Sequence, residues 1–465
     1  MPVTALPFAT QSYPLENPSV SKETLINLYL EPQPETARSK FVVRNTPGLF
    51  PFASMNDNNP VCAMGVQATE VFAISGNALY RISGDGTSLL VGVWPGGGDP
   101  YRSSIACSDT QVVVCTPPNI YYLNAATLVF NPIIPEEPFA AASVTYLDGR
   151  FIFSEVGTGR FHWSELNDAS DVRAMSFATQ ERAPDYLLGV HAFGGDLWLF
   201  GQRTIEIWAS AGSADAPFQR QSGAVIEIGT LANRTVAAAD NSLCWVGDDL
   251  IVYRSNGSQP ARISTAAIEQ ELNDYSGKDS TIGYALSHAG HVQYAITFPQ
   301  AGRTWVYDFW TKLWHLRATH ANDQAWRGQS SVRFGDFQLV GDALSGRIWR
   351  VDHRIYTEAG LVMPRTAILP PIEAETRRAF MASLELEMEV GVKDPIAVAM
   401  SYSDNGGRDW SPPQVKSTGG VNAFNTRLRW HRLGSFRQRM IRFEITGNGP
   451  VALLGAYADI TAGEY

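Results

Sequence analysis

Val144-Thr-Tyr-Leu-Asp148, Arg150-Phe-Ile-Phe-Ser154 and Arg160-Phe-His-Trp-Ser164 are three apolar stretches whose turns hold Asp148-Gly149 and Gly157-Thr-Gly159. Aromatic and β-branched residues dominate each stretch, and the breaks are short and rich in glycine, so each reads as a strand. Asp-Gly suits a two-residue hairpin turn, which needs positive φ at both positions. The same unit returns in Leu188-Gly-Val-His-Ala-Phe193, Asp196-Leu-Trp-Leu-Phe200 and Thr204-Ile-Glu-Ile-Trp208, and again in Thr235-Val-Ala-Ala-Ala239, Ser242-Leu-Cys-Trp-Val246 and Leu250-Ile-Val-Tyr253. Similar triplets occupy 62–82, 104–123, 282–307 and 331–351. Their first turns fall near residues 76, 110, 149, 195, 241, 290 and 335, at spacings of 34 to 49 residues.

A repeat of about 40–50 residues with three or four strands per unit is the pattern of a β-propeller. One twisted blade cannot bury both faces alone, whereas radial placement covers each face with the next blade. Seven triplets are present, and a chain end can complete a shared blade, so six or seven blades are expected. A stack of separate sandwiches is the competing arrangement.

Beyond Asp352 the pattern changes, with Pro364, Pro370 and Pro371 marking a boundary. Leu384-Glu-Leu-Glu-Met-Glu-Val390 alternates strictly, as a strand with one wet face does. Further strands are read at 396–402, 427–430, 440–445 and 451–454. The first 60 residues are Pro-rich and poorly periodic, with one short helical turn expected around 21–30. Such an arm is expected to lie along a partner or another domain. The chain is therefore expected to be all-β, with an extended N-terminal arm over 1–60, a propeller over 61–360 and an antiparallel β-sandwich over 361–465.

The chain has 465 residues, 45% hydrophobic, 11% aromatic and 18% charged, a composition suited to burial in sheets or against neighbours. Its net charge of −10 argues against a general nucleic-acid coat, which needs a basic surface to release counterions. No run reaches the roughly 18 apolar residues of a membrane span, and 1–10 lacks the features of a signal peptide, so folding in the cytoplasm without membrane insertion is expected. Cys62, Cys107, Cys115 and Cys244 lie in apolar runs and form no C-x-x-C pair, so they read as small buried hydrophobes.

Ser403-Asp-Asn-Gly-Gly-Arg-Asp-Trp-Ser411 is close to the Asp-box hairpin of sialidases, with Asn405 where that motif has Asp. It reads as a turn whose side chain bonds local backbone. His288 and His291 have H-x-x-H spacing but flank Ala289-Gly290, and the local sequence offers no further metal ligands. Glycoside hydrolysis needs two facing carboxylates, and none forms a marked pair. No nucleophile elbow, phosphate loop or dinucleotide fingerprint appears. No catalytic residue, cofactor or metal is called for.

The densest charge pattern is Arg427-Leu-Arg-Trp-His-Arg-Leu-Gly-Ser-Phe-Arg-Gln-Arg-Met-Ile-Arg442. Alternation predicts Arg427 and Arg429 on one strand face, and Arg437 and Arg439 together after the Gly434 turn. Three readings compete: a solvated face, pairing with the Glu385, Glu387 and Glu389 stripe, and contact with phosphate. The second is favoured because the acidic stripe lies in the same small domain and has matching period. Arg427, Arg429, Trp430, Arg432, Arg437 and Arg439, with the three glutamates, are therefore the candidate interface between subunits or with an adaptor.

Segments near the two ends together resemble the DNA-stabilisation, or tail-hub and nozzle, proteins of short-tailed bacteriophages. They are Ile26-Asn-Leu-Tyr-Leu-Glu31, Asn45-Thr-Pro-Gly-Leu49, the 402–411 hairpin, Arg429-Trp-His-Arg-Leu-Gly-Ser-Phe-Arg-Gln-Arg439 and Leu453-Leu-Gly-Ala-Tyr-Ala-Asp459. The resemblance implies a non-enzymatic virion protein, assembled in the host cytoplasm into a hexameric ring below the portal and its adaptor ring. That ring carries tailspikes or fibres and a plug, retains packaged double-stranded DNA and becomes part of the ejection channel. The acidic balance suits a lumen along which DNA slides. The rivals are a sialidase-like enzyme and a carbohydrate-binding propeller, for which Trp163, Trp208 and Trp245 would be the stacking series.

Overall fold

The computed structural model describes residues 3–463 apart from 16, 18–19, 38–39, 56, 97–99, 181–184, 214–215, 320–323 and 374–376. Six four-stranded antiparallel sheets follow one another along the chain, at 61–93, 104–132, 141–179, 187–226, 237–262 and 282–317. A seventh takes three strands from 328–352 and its outermost strand, Gly48–Ser54, from the N-terminal region. These are blades 1 to 7. All seven strand triplets of the sequence are thus blades, each extended by an outer fourth strand. In blade 1 the inner hairpin turns at Ala68–Thr69, earlier than the position near 76 expected.

The first strand of each blade lines the axis, and the ring closes where Ser330 Oγ of blade 7 donates to the Val61 carbonyl of blade 1 at 2.8 Å. Asp148 and Gly149 have φ of 49° and 80°, the double positive turn their sequence predicts. One apolar cluster fills the space between each pair of neighbouring blades, and the seven clusters complete the circle. Phe200 of blade 4 meets Trp245 of blade 5 edge-on at 5.8 Å, within one such cluster. Trp163, Trp208 and Trp245 are at most 5% exposed, so they are packing residues and not a sugar-stacking series.

The sandwich packs two sheets around a core that includes Leu384, Leu386, Val398, Met400, Trp430 and Phe443. One sheet runs Leu28–Pro32, Phe41–Asn45, Ala452–Ala462, Ala379–Met388, Leu428–His431. The other runs Lys22–Ile26, Arg365–Ile368, Gln438–Thr446, Ala397–Ser403, Gln414–Ser417, and it continues directly from the outer strand of blade 6 through Ile26 beside Leu316.

The described residues of 3–54 therefore lie along both domains and contribute six strands. The helical turn expected at 21–30 is not formed. Lys22–Ile26 and Leu28–Pro32 are strands broken at Asn27, whose φ is 53°. The apolar spacing Leu25, Leu28 fits a helix or two strands equally, and sheet partners 290 or more residues away decide it. The one α-helix among the described residues, Ala266–Asp274, buries Ile268 and Leu272 between blades 5 and 6 and was not foreseen.

Candidate functional site

The strand Ala379–Met388 carries the acidic stripe. Its alternation turns Leu384, Leu386 and Met388 into the sandwich core and Glu385 and Glu387 outward. The edge strand Leu428–His431 pairs with it so that Glu385 lies directly opposite Arg429. Arg427 reaches the same carboxylate through two bonds of 2.7 Å. Arg429 donates to Ser383 Oγ at 2.9 Å, while its buried Nε has no partner. These side chains, with Phe424 and Tyr457, line a groove of about 630 Å³. Glu389 is exposed just past the end of the strand.

The rest of the arginine-rich segment divides. Trp430 is 1% exposed, donates its indole N–H to the Gln414 carbonyl at 2.8 Å and packs against Phe443. Arg439 is equally buried. It grips Asp404 through two bonds of 2.7 Å, donates to the Leu433 carbonyl, and lies over the rings of Tyr402 and Phe436. Trp430 and Arg439 are thus interior residues that hold the sandwich corner, and a docking partner would not touch them. Arg432 and Arg437 are exposed. Arg437 does not share a face with Arg439, because Ser435–Phe436 and Gln438–Thr446 are separate strands and Arg437 stands at the break between them.

The 403–411 hairpin is the local turn expected. Ser403 Oγ accepts from Gly407 N–H at 2.9 Å, and Asn405 Oδ1 accepts from Ser403 and Asp409. Lys22 caps it from the N-terminal region by donating to the Gly407 carbonyl. His288 and His291 are buried against Tyr29 of the sandwich, with centroids 5.4 and 4.9 Å from its ring, and His291 Nδ1 lies 2.6 Å from Asp308. Burial first, and then Arg317 and His291, push the His288 imidazole down to about 3. Burial likewise takes His315 to about 3 and the Tyr29 hydroxyl up to about 12. Among the described residues no cluster of His, Cys, Asp or Glu could hold a metal ion. None of the four cysteines is in a disulfide, and burial raises the thiols of Cys107 and Cys244 to about 12.

The joint between propeller and sandwich was not legible in advance. Its fully buried Arg317 stacks 3.6 Å from the centre of Trp326, donates to the Pro47 carbonyl and lies 3.7 Å from Glu358. Burial pushes the Glu358 carboxyl up, and it accepts from Trp326 Nε1 and Thr319. Arg365 ties Tyr356 to Gly447 across the domain boundary. Charged residues set in otherwise apolar runs, such as Arg317 after Trp314-His-Leu, were the available signal. The propeller axis holds a small cavity of about 300 Å³. Arg234, beside blade 5, reaches across it to the carbonyls of Cys62 and Tyr101.

A seven-bladed propeller is thus fused through a shared sheet to a sandwich, with arginines buried at the joint and in the sandwich interior. A family model described as the β-propeller of bacteriophage P22 Gp10 matches residues 6–356, and one described as its β-sandwich matches 365–461. The chain belongs to this family of phage DNA-stabilisation proteins and is a structural protein of the phage tail. No curated protein matches the chain. Among solved structures it is similar to a chain of the mitotic checkpoint complex, at 13% identity over 69% of this chain and 96% of that one, with a TM-score of 0.44. It is also similar to the computationally designed Ika8 protein, at 10% identity over 65% and 99%, with a TM-score of 0.38. Neither likeness carries an argument about function. No helix among the described residues is long and apolar enough to cross a membrane.

Proposed function

We propose that the protein assembles as a hexameric ring, the hub of the tail, without enzymatic activity. The ring docks to the adaptor ring beneath the portal, carries the tailspikes or fibres and the plug, retains packaged DNA, and becomes part of the ejection channel. The observation that carries this reading is that the two domains of one phage DNA-stabilisation protein match the chain in order and nearly end to end.

The geometry supports a ring over a single copy. The propeller axis is a cavity of about 300 Å³ crossed by Arg234, so it cannot be the path of a duplex. A conduit lies between copies. A net charge of −10 per copy supports a wall along which DNA slides. The outward-facing part of the candidate set, exposed Arg427, Arg432, Arg437 and Glu389 with half-buried Arg429, Glu385 and Glu387, is assigned to contacts with a neighbouring subunit or the adaptor. Trp430 and Arg439 support that surface from within.

The test is DNA retention. Phage particles assembled without the protein should lose their DNA to added nuclease, and purified protein should restore retention. Particles that hold their DNA equally well without it would overturn the reading.

A further inference from the structure

Two surfaces of opposite sign lie apart on the chain. The first is at one end of the sandwich. Ala379 faces Phe436 across the ladder, which sets Arg378 and Arg437, the next residues, side by side. Arg377 adjoins them, and Arg432 occupies the turn whose N–H donates to the Ala382 carbonyl. All four are exposed, and none forms an ion pair among the described residues. Like charges directly opposite one another weaken a sheet. Phe380, opposite Ser435, is 51% exposed beside them. An arginine cluster around an exposed aromatic is the composition of an interface core.

The second surface is a mouth of the propeller. The inner strands stand around the axis and run the same way, so their hairpins open at one end. Six of the seven carry a carboxylate in or beside the turn: Glu70, Asp109, Asp148, Asp196, Asp240 and Asp336. The exception is blade 6, whose His288 and His291 lie beneath Tyr29. Arg81 meets Glu70, Arg254 meets Asp240, and Gln221 donates to Asp196. Asp109, Asp148 and Asp336 are exposed with no ion pair among the described residues.

We infer that the arginine end of one copy's sandwich docks on the acidic mouth of the next copy's propeller, and that this contact repeats around the ring. The inference rests on the ring proposed above. Residues 1–360 carry 24 Lys and Arg against 35 Asp and Glu, whereas 361–465 carry 12 against 11, so the acidic excess of the chain lies outside 361–465. Two different patches, each present once per chain, make a head-to-tail contact, which generates a ring when its rotation closes. A duplex would need a basic field that extends along it. Here Glu373, bonded to Gln438, bounds the patch.

The test uses the full-length protein with its adaptor ring, scored by electron microscopy and sedimentation. Arg378→Glu with Arg437→Glu, and separately Asp109→Arg with Asp336→Arg, should each lower ring formation at least about tenfold. All four changes in one chain should restore it, because the contact is complementary again with its signs exchanged. Failure of that rescue in a chain that still melts cooperatively would overturn the contact, as would rings unaffected by either pair. If the arginine pair leaves rings intact but weakens binding to a short DNA duplex, the patch is a phosphate surface and the inference falls. Absence of rings from the unaltered protein would overturn the ring itself, which separates the two failures.

Discussion

Asn27 and Ala318 exchange a pair of hydrogen bonds, Asn27 Nδ2 donating to the Ala318 carbonyl at 2.9 Å and Ala318 N–H donating to Asn27 Oδ1 at 3.0 Å. A side chain thus imitates one rung of a ladder. The same Nδ2 donates to the Pro364 carbonyl at 2.7 Å, and the Asn27 carbonyl accepts from Thr46 N–H at 3.0 Å. One residue therefore joins the N-terminal strands, the end of blade 6 and the entry to the sandwich.

Asn27→Ala should destabilise the protein by roughly 3 kcal/mol, since it strands buried backbone groups and places a Cβ-bearing residue without that side chain at φ 53°. Asn27→Gly should cost about 1 kcal/mol less, because only the φ penalty is relieved. Denaturant unfolding of both variants checks the order.

Removal of residues 1–54 should prevent the propeller from closing. Blade 7 would lose Gly48–Ser54, its fourth strand, and leave Arg347–Asp352 as an open edge. Size-exclusion chromatography should show aggregation, and amide exchange should show lost protection across 328–352.

Two arginines of one segment should behave oppositely. Arg439→Ala should cost roughly 2–3 kcal/mol, because it leaves the Leu433 carbonyl and Asp404 without their buried donor. Arg427→Ala removes a largely exposed pair and should leave the unfolding midpoint where it was. Thermal melts of the two variants measure the contrast.

Stability should fall as the pH drops. Burial holds His191 down at about 4, and His288 and His315 at about 3, against an ordinary value near 6.5. The unfolded chain therefore takes up protons first. The contribution of these residues is complete above about pH 6.5 and is lost progressively as the pH falls toward 4 and 3. Denaturant midpoints between pH 7.5 and 4.5 should decline, and His315→Gln should flatten that decline.

What the sequence made legible was local. Asp148-Gly149, Gly194-Gly195 and Asp240-Asn241 fix hairpins through their own backbone preferences, so the blades could be found one by one. The role of the first 54 residues could not be read, because their decisive partners are hundreds of residues distant: Gly48–Ser54 pairs with Arg347–Asp352, and Leu25 with Ala367. At the candidate site, alternation placed Glu385, Arg427 and Arg429 on one face correctly. It misplaced Arg437 relative to Arg439, because a break between strands resets the period. Burial of Arg439 goes with its pairing to Asp404, which reaches it from the hairpin turn after Ala397–Ser403.

The measurement that bears most directly on the central claim is electron microscopy of the purified protein mixed with its adaptor ring. The account predicts closed six-fold rings seated on the adaptor, with density for the propeller and sandwich in every subunit. A stable monomer that does not bind the adaptor would contradict it.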